Sequence, residues 1–356
     1  MEETVIKSPE YKLFWDYFIS HEEKFFDVVK AYEHAEEKFL DVVLPKLKMI
    51  NEDFFLLTGM FDENTAELII TVDGSIKDIV YAEEIIAAAP QLKKWRFTAL
   101  KPESDLNSST IKMGDNVFTK DEIFFYSNDD ENYPDEIDLT FIHKDLNEDN
   151  RNEIINGTFI FIDNYLGELN FLTQIDNFRI TGKEEVEKEL IPIEKLKDYL
   201  SWRETEFTEK YKGSKIETSD DSYSLIEARL ENGFSLLATV NTDLLQWDKK
   251  ASHPWISVLR IEYIGDEFTG FPDNEDYEML DTIEDEMMLT LTPEEGDLNI
   301  GRETAENLRE IYFASKDFRK ISKVLAETVS RYSDYNITFE IYKDKYWQSF
   351  ERYGIQ

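Results

Sequence analysis

The sequence predicts an α+β protein of two domains, each a mostly antiparallel sheet with helices on one face, the second ferredoxin-like. Three observations carry this. The hydrophobic period alternates along the chain between the two of a strand and the 3.6 of a helix. A charged stretch at 183–189 interrupts that pattern and separates two sets of elements. The 356 residues include 25 Phe and 18 Tyr, enough apolar mass for two cores.

In the first set, Phe14, Tyr17 and Phe18, then Phe25, Val28, Val29 and Tyr32, recur at helical spacing. Ser20 and Glu23 between them form a capping box, which predicts a helix start there. Pro45 lacks an N–H and clashes with the preceding turn, so it is expected to kink or end a helix over 35–50. Alternation predicts strands at 54–60 and 67–72, the second closed by Asp73-Gly74. A helix over 76–89 stops at Pro90, and 96–100 is the next strand. Strands at 121–126 and 137–143, a helix over 148–166 and a strand at 177–181 complete a first domain of residues 1–185. A helix at 193–200 lies in a linker over 186–201.

The second domain, 202–356, has sharper signals. Asn232-Gly233 joins strands 223–230 and 234–240, because both residue types accept the positive φ of a tight hairpin. A strand at 255–264 precedes a helix over 274–291. That helix has Asp273 as N-cap and an apolar stripe of Tyr277, Leu280, Ile283, Met287 and Leu291. Strands at 298–304 and 308–314, a helix over 317–332 and a strand at 337–342 follow. From 255 the order is β-α-β-β-α-β, two split βαβ units. The first domain has a similar order without a residue-level repeat.

Charge narrows the function. Lys and Arg number 39 against 77 Asp and Glu, a net charge of −38. Phosphate backbones and anionic membrane surfaces are disfavoured partners, whereas a basic protein segment is attracted. There is no Cys, so disulfides and thiolate chemistry are excluded and a reducing compartment fits. The start Met1-Glu2-Glu3-Thr4 lacks the features of a signal peptide, and no run is long enough to cross a bilayer, so the expected location is the cytoplasm. Asn107, Asn156 and Asn336 head glycosylation triplets that would then be idle.

No catalytic, cofactor-binding or metal-binding residue is indicated, and no cofactor is implied. His21, His34, His143 and His253 stand in no zinc pattern. The acidic run 129–136 lacks the glycine and the alternation of an EF-hand and reads as a solvated loop. Nucleotide-binding glycine motifs and the G-x-S-x-G elbow are absent. One electrostatic feature stands above background. Between Arg260 and Arg302 there is no Lys or Arg, while acids are dense, seven of them on the helix 274–291 away from its apolar stripe. Glu275, Glu278, Asp281, Glu284, Asp285 and Arg302 are therefore the candidate partner-binding residues. Gly301 and Arg302 also have a structural reading, with Arg302 pairing Glu284 or Asp285.

The second domain resembles the bacterial domain-of-unknown-function family 695, and more distantly the RraB regulators of ribonuclease E. The resemblance covers roughly 202–353 and rests on Trp202, Trp255, Gly270-Phe271-Pro272, the acidic helix 277–286, Ile300-Gly301-Arg302-Glu303-Thr304, the aromatic strand 309–313, and Trp347 with Phe350. It departs at Asn307-Leu308, where the family's hairpin has Gly, so a longer or wider turn is expected. The first domain is similar to the N-terminal region of related bacterial proteins through Phe14-Trp15 and 87–95. The first family has no assigned activity. The RraB likeness implies an acidic protein that acts by binding another protein. The resulting expectation is a non-enzymatic interaction or regulatory module. The alternative is a carboxylate-based hydrolase, metal-dependent or not, with its site between the domains. No oligomeric state is legible.

Overall fold

In the computed structural model the described residues are 9–106, 111–113, 116–186, 188–214 and 216–354; residues 1–4 and Asn107 lie outside them. The chain forms two compact units. The first holds residues up to Glu131 and Glu136–Glu204, the second Asn132–Asp135 and Thr205–Gln356. Fifteen strands and nine α-helices are described, and the α+β class holds.

The first unit opens with helices α1 (Pro9–Ala31) and α2 (Asp41–Lys48). Ser20 and Glu23 do not start a helix, because α1 runs straight through them. Ser20 Oγ donates to the Tyr17 carbonyl at 2.7 Å, and Glu23 pairs instead with Lys94. A continuous aromatic stripe explains the unbroken helix: Phe14, Trp15, Phe18, Phe25 and Phe26 are all buried, and Trp15 and Phe18 meet Phe97 edge-on. The break comes later, where Tyr32 and His34 take positive φ. A wide π-helical turn, Glu36–Leu40, then leads into α2, and Pro45 sits inside α2 without ending it.

Strands β1 (Phe55–Met60) and β2 (Ala66–Thr71) are antiparallel. Helix α3 (Ile79–Ala87) then crosses to β3 (Trp95–Ala99), parallel to β2. After the short hairpin β4 (Ile111–Met113) and β5 (Asn116–Phe118), the same plan recurs. Strands β6 (Ile123–Ser127) and β7 (Asp138–His143) are antiparallel, helices α4 (Arg151–Leu166) and α5 (Glu168–Gln174) cross over, and β8 (Asn177–Thr181) lies parallel to β7. The unit therefore holds two main sheets, β1-β2-β3 and β8-β7-β6-β9, rather than one; β9 is Ile191–Pro192. A β-β-α-β block closes its own small sheet, since the crossover helix returns the chain beside the second strand. Residues 191–200 belong to this unit: Ile193 and, from helix α6 (Leu196–Tyr211), Leu196 and Leu200 are buried in the core with Phe125, Phe141 and Phe161.

The second unit is built on a six-stranded antiparallel sheet of order β10-β11-β13-β14-β12-β15. Its strands are β10 (Tyr223–Arg229), β11 (Ser235–Asn241), β12 (Trp255–Glu262), β13 (Asp297–Ala305), β14 (Leu308–Ser315) and β15 (Asn336–Lys343). The last four, with helices α8 (Asn274–Met288) and α9 (Phe318–Arg331), form the ferredoxin-like core, and the β10–β11 hairpin extends its β13 edge. One-turn helix α7 (Thr242–Leu245) follows the hairpin. Strand alternation divides the sides. Trp255 meets Phe318 of α9, while Ile256 and Val258 point oppositely into a cluster with Leu298, Ile300, Tyr312, Trp347 and Phe350. No helix among the described residues is long and apolar enough to cross a membrane.

Candidate functional site

Asp273 caps α8 by accepting from the Glu275 and Asp276 amides at 2.9 Å each. The buried stripe is Leu280, Ile283, Glu284 and Met287. Two expectations change here. Tyr277 stands at the edge of the stripe, half-exposed, with the Arg309 guanidinium 5.1 Å from its ring centre. Glu284, which the sequence groups with the outward acids, replaces it as a buried member.

Glu284 is affordable inside because β13 meets it with donors. Asn299 Nδ2 donates to one carboxylate oxygen at 2.9 Å and Arg302 Nη1 to the other at 2.7 Å. In a regular strand residues 299 and 302 would face opposite sides. A β-bulge between Asn299 and Gly301 resets the register, so Asn299 lies opposite Phe313 and Arg302 opposite Ile311, both on the α8 side. Gly301 makes the bulge possible. Its φ is +143°, and a Cβ there would lie 2.2 Å from the Thr239 carbonyl oxygen of β11.

Asp281, one turn earlier, is shared. Arg309 Nη1 donates to it at 2.9 Å and Arg302 Nη2 lies 3.6 Å away. Arg309 is 1% exposed. Burial disfavours the Arg302 charge, but Glu284 and Asp281 outweigh that and raise its pKa. Arg302 thus pairs with Glu284 and Asp281, not with Asp285. Further along, Arg331 neutralises Glu286, Tyr335 donates to Asp276, and Lys320 holds Glu295 and Asp297. The acidic region is therefore not one free negative surface. Glu275, Glu278 and Asp285 remain on the outer face of α8, exposed, their side chains without a hydrogen-bond or ion-pair partner among the described residues.

The β12–α8 loop precedes this row and carries two exposed apolar side chains. Ile264 is 91% exposed and Phe268 86%. The loop that carries them is nevertheless firmly built. Asp266 Oδ1 accepts from the Phe268 and Thr269 amides, which, with the Thr269 hydroxyl, hold its pKa below the usual value. The Gly270 amide donates to the Asp266 carbonyl at 2.8 Å, and the Asp266 amide to that of Phe271 at 2.9 Å. Tyr263 Oη donates to the Gly270 carbonyl from below at 2.9 Å. From the side, Asn307 Oδ1 accepts the Gly265 amide at 3.0 Å, and the Asn307 amide donates to Gly270.

Asn307 also corrects the hairpin expectation. The β13–β14 turn is a tight two-residue one: Ala305 pairs with Leu308, and Glu306 and Asn307 both take positive φ. Asn tolerates that conformation as Gly does, and its side chain ties the neighbouring loop. The signal available in the sequence was Gly265 and Gly270 bracketing an Asp-Glu-Phe-Thr segment.

Other candidates settle elsewhere. Asp135, read as part of a solvated acidic loop, is buried and accepts from Lys210 at 2.7 Å, Tyr211 at 2.7 Å and Tyr346 at 2.6 Å. His143 and His253 are buried, and burial lowers both pKa values, that of His253 to about 3. No group of three or more His, Asp or Glu among the described residues is arranged to hold a metal ion.

Residues 227–353 match a family of unknown function, DUF695. The match takes in Trp255, α8, Gly301, Arg302, Trp347 and Phe350, and begins after the exposed Trp202. No curated protein and no solved structure matches the chain.

Proposed function

We propose that the second unit is a non-enzymatic docking module that binds a basic protein segment at the β12–α8 corner. Phe268 and Ile264 enter an apolar recess of the partner, and Glu267, Glu275, Glu278 and Asp285 face its Lys and Arg side chains. One observation carries this reading: two large apolar side chains stand in solvent on a loop whose backbone is fixed by its own hydrogen bonds. Ordering a loop opposes folding through lost chain entropy, and exposed aromatic groups gain nothing from it in the free protein. In a complex the same order is an advantage, because the contact residues lose little further freedom. Aromatic side chains flanked by charge are also the usual energetic centres of interfaces.

The inner trio Asp281, Glu284 and Arg302 serves this surface indirectly, by fixing α8 to the sheet. The resemblance to RraB-type regulators, which act by binding a protein, points the same way, and a reducing bacterial cytoplasm suits a chain without Cys.

The test is to place the photo-crosslinking residue p-benzoylphenylalanine at position 268 in the intact protein and irradiate it in its own cells. The expected adduct is one protein, joined through a Lys- or Arg-rich segment, with a yield in lysate that falls as salt rises. Adducts spread over abundant proteins, or yields unmoved by salt and by the triple change Glu275→Gln, Glu278→Gln, Asp285→Asn, would refute the proposal.

A further inference from the structure

The least charged part of this acidic chain lies at one edge of the six-stranded sheet. Residues 232–242 carry no charge, and β10, paired to them in the hairpin, carries one acid and one base, Glu227 and Arg229. Strand β10 is the edge strand. It is seven residues long, keeps unbroken register with β11 from Tyr223↔Asn241 to Arg229↔Ser235, and contains no Pro, Lys or bulge. Beyond that pairing, residues 223–229 make no backbone hydrogen bond among the described residues. Leu225 is 67% exposed and Tyr223 50%. Edge strands of lone domains are normally blunted by Lys, Pro, bulges or shortness, since open N–H and C=O groups recruit another strand. The opposite edge, β15, carries Glu340 and Lys343. Strand β10 has Glu227 and Arg229 but no Lys, Pro or bulge.

We propose that β10 pairs antiparallel with β10 of a second copy of this chain, continuing the sheet across a two-fold axis. Charge selects this occupant. Two molecules of net charge −38 repel nearly everywhere, and they can approach closely only through a patch near neutrality. The 223–229 segment has one positive and one negative residue, so it is such a patch, whereas a basic partner is drawn to the acidic surfaces instead. The strand also complements itself. In a register centred on Ile226, Tyr223 lies beside the second copy's Arg229, a ring-to-guanidinium contact made twice. Ile226 meets Ile226 of the second copy, and Glu227 falls opposite Leu225 of the second copy rather than another acid.

This surface differs from the proposed docking corner, and its salt response is opposite. Screening weakens the grip on a basic segment but relieves repulsion between two acidic copies. Sedimentation equilibrium of the full chain at about 50 mM and about 500 mM NaCl is the direct test. The expected result is a dimer whose dissociation constant falls at least about fivefold at the higher salt. Leu225→Lys, at an exposed position, is expected to raise that constant at least about tenfold with unchanged thermal unfolding. Amide exchange of wild-type β10, which needs no variant, is expected to slow as protein concentration rises. A monomer at every concentration, a dimer loosened by salt, or a Leu225→Lys dimer as tight as wild type would each overturn the proposal. None of these outcomes involves the basic partner, so the two readings fail separately.

Discussion

Replacing Gly301 with alanine puts a methyl group where β11 already passes. The added carbon would lie 2.2 Å from the Thr239 carbonyl oxygen and 2.8 Å from Val240 Cα, both backbone atoms that cannot swing aside. The site also keeps φ at +143°, which an alanine resists. Backbone strain of that kind is worth about 1–3 kcal/mol and overpacking another 1–3 kcal/mol. Gly301→Ala is therefore expected to destabilise the second unit by about 3–5 kcal/mol. That is a drop of roughly 6–20 °C in its melting transition for a unit of this size. Urea unfolding followed by fluorescence measures the loss, with circular dichroism to separate the transitions of the two units. A double-mutant cycle then examines the cause. Glu284→Gln removes the charge that Arg302 faces and is expected to cost about 2–3 kcal/mol alone, less than a fully buried pair because Arg302 is partly exposed. If the bulge exists to turn Asn299 and Arg302 to the same side, Glu284→Gln loses at least half of its effect in the Gly301→Ala background. A Gly301→Ala cost below about 1 kcal/mol, or strict additivity, would refute the link between bulge and charge network.

Three further outcomes follow from the geometry. Burial raises the Asp135 pKa, but bonds from Lys210, Tyr346 and Tyr211 outweigh it and hold the group below 3.8. Its stabilisation is thus present above about pH 4 and lost as pH falls through the lower folded value. Asp135→Asn is expected to cost about 1–2 kcal/mol at neutral pH and to flatten the fall of the urea midpoint below about pH 4. His253 has a folded pKa lowered by burial to about 3, against about 6.5 when unfolded. The unfolded chain therefore takes up the proton first, and stability present above about pH 6.5 declines as pH falls toward 3, by at most about 1.4 kcal/mol per unit. In NMR its ring signals are expected not to titrate between about pH 8 and 5. Asn307→Ala removes both a residue suited to positive φ and the acceptor for the Gly265 amide, an expected loss of about 1–3 kcal/mol with faster amide exchange over 265–270. Asn307→Gly is expected to recover the turn but not the exchange protection.

Where one local rule acted alone, the sequence was legible. Asn232-Gly233 marked its hairpin, Asp273 its cap, and the period changes after Trp255 located every element of the ferredoxin-like core. The errors fall where tertiary contacts overrule a local signal. The Ser20–Glu23 capping box is erased because aromatic burial on both sides of it keeps α1 continuous. Glu284 reads as a surface acid until a bulge on a distant strand supplies its donors. The first unit's strands read as one sheet, since pairing partners in separate β-β-α-β blocks leave no periodic trace. Among the candidate residues, Glu275, Glu278 and Asp285 stand at the surface, while Asp281, Glu284 and Arg302 bind one another. Phe268 has no periodic pattern of its own, only the flanking Gly265 and Gly270, and the role proposed for it rests on hydrogen bonds made by the backbone around it.

Titrating the protein captured at position 268 against wild type and against the Glu275→Gln, Glu278→Gln, Asp285→Asn variant examines most directly the division of α8 into an inner structural side and an outer docking side. The variant is expected to bind at least about tenfold more weakly, with a shallower salt dependence and wild-type melting. Equal affinity with undiminished salt dependence would contradict it.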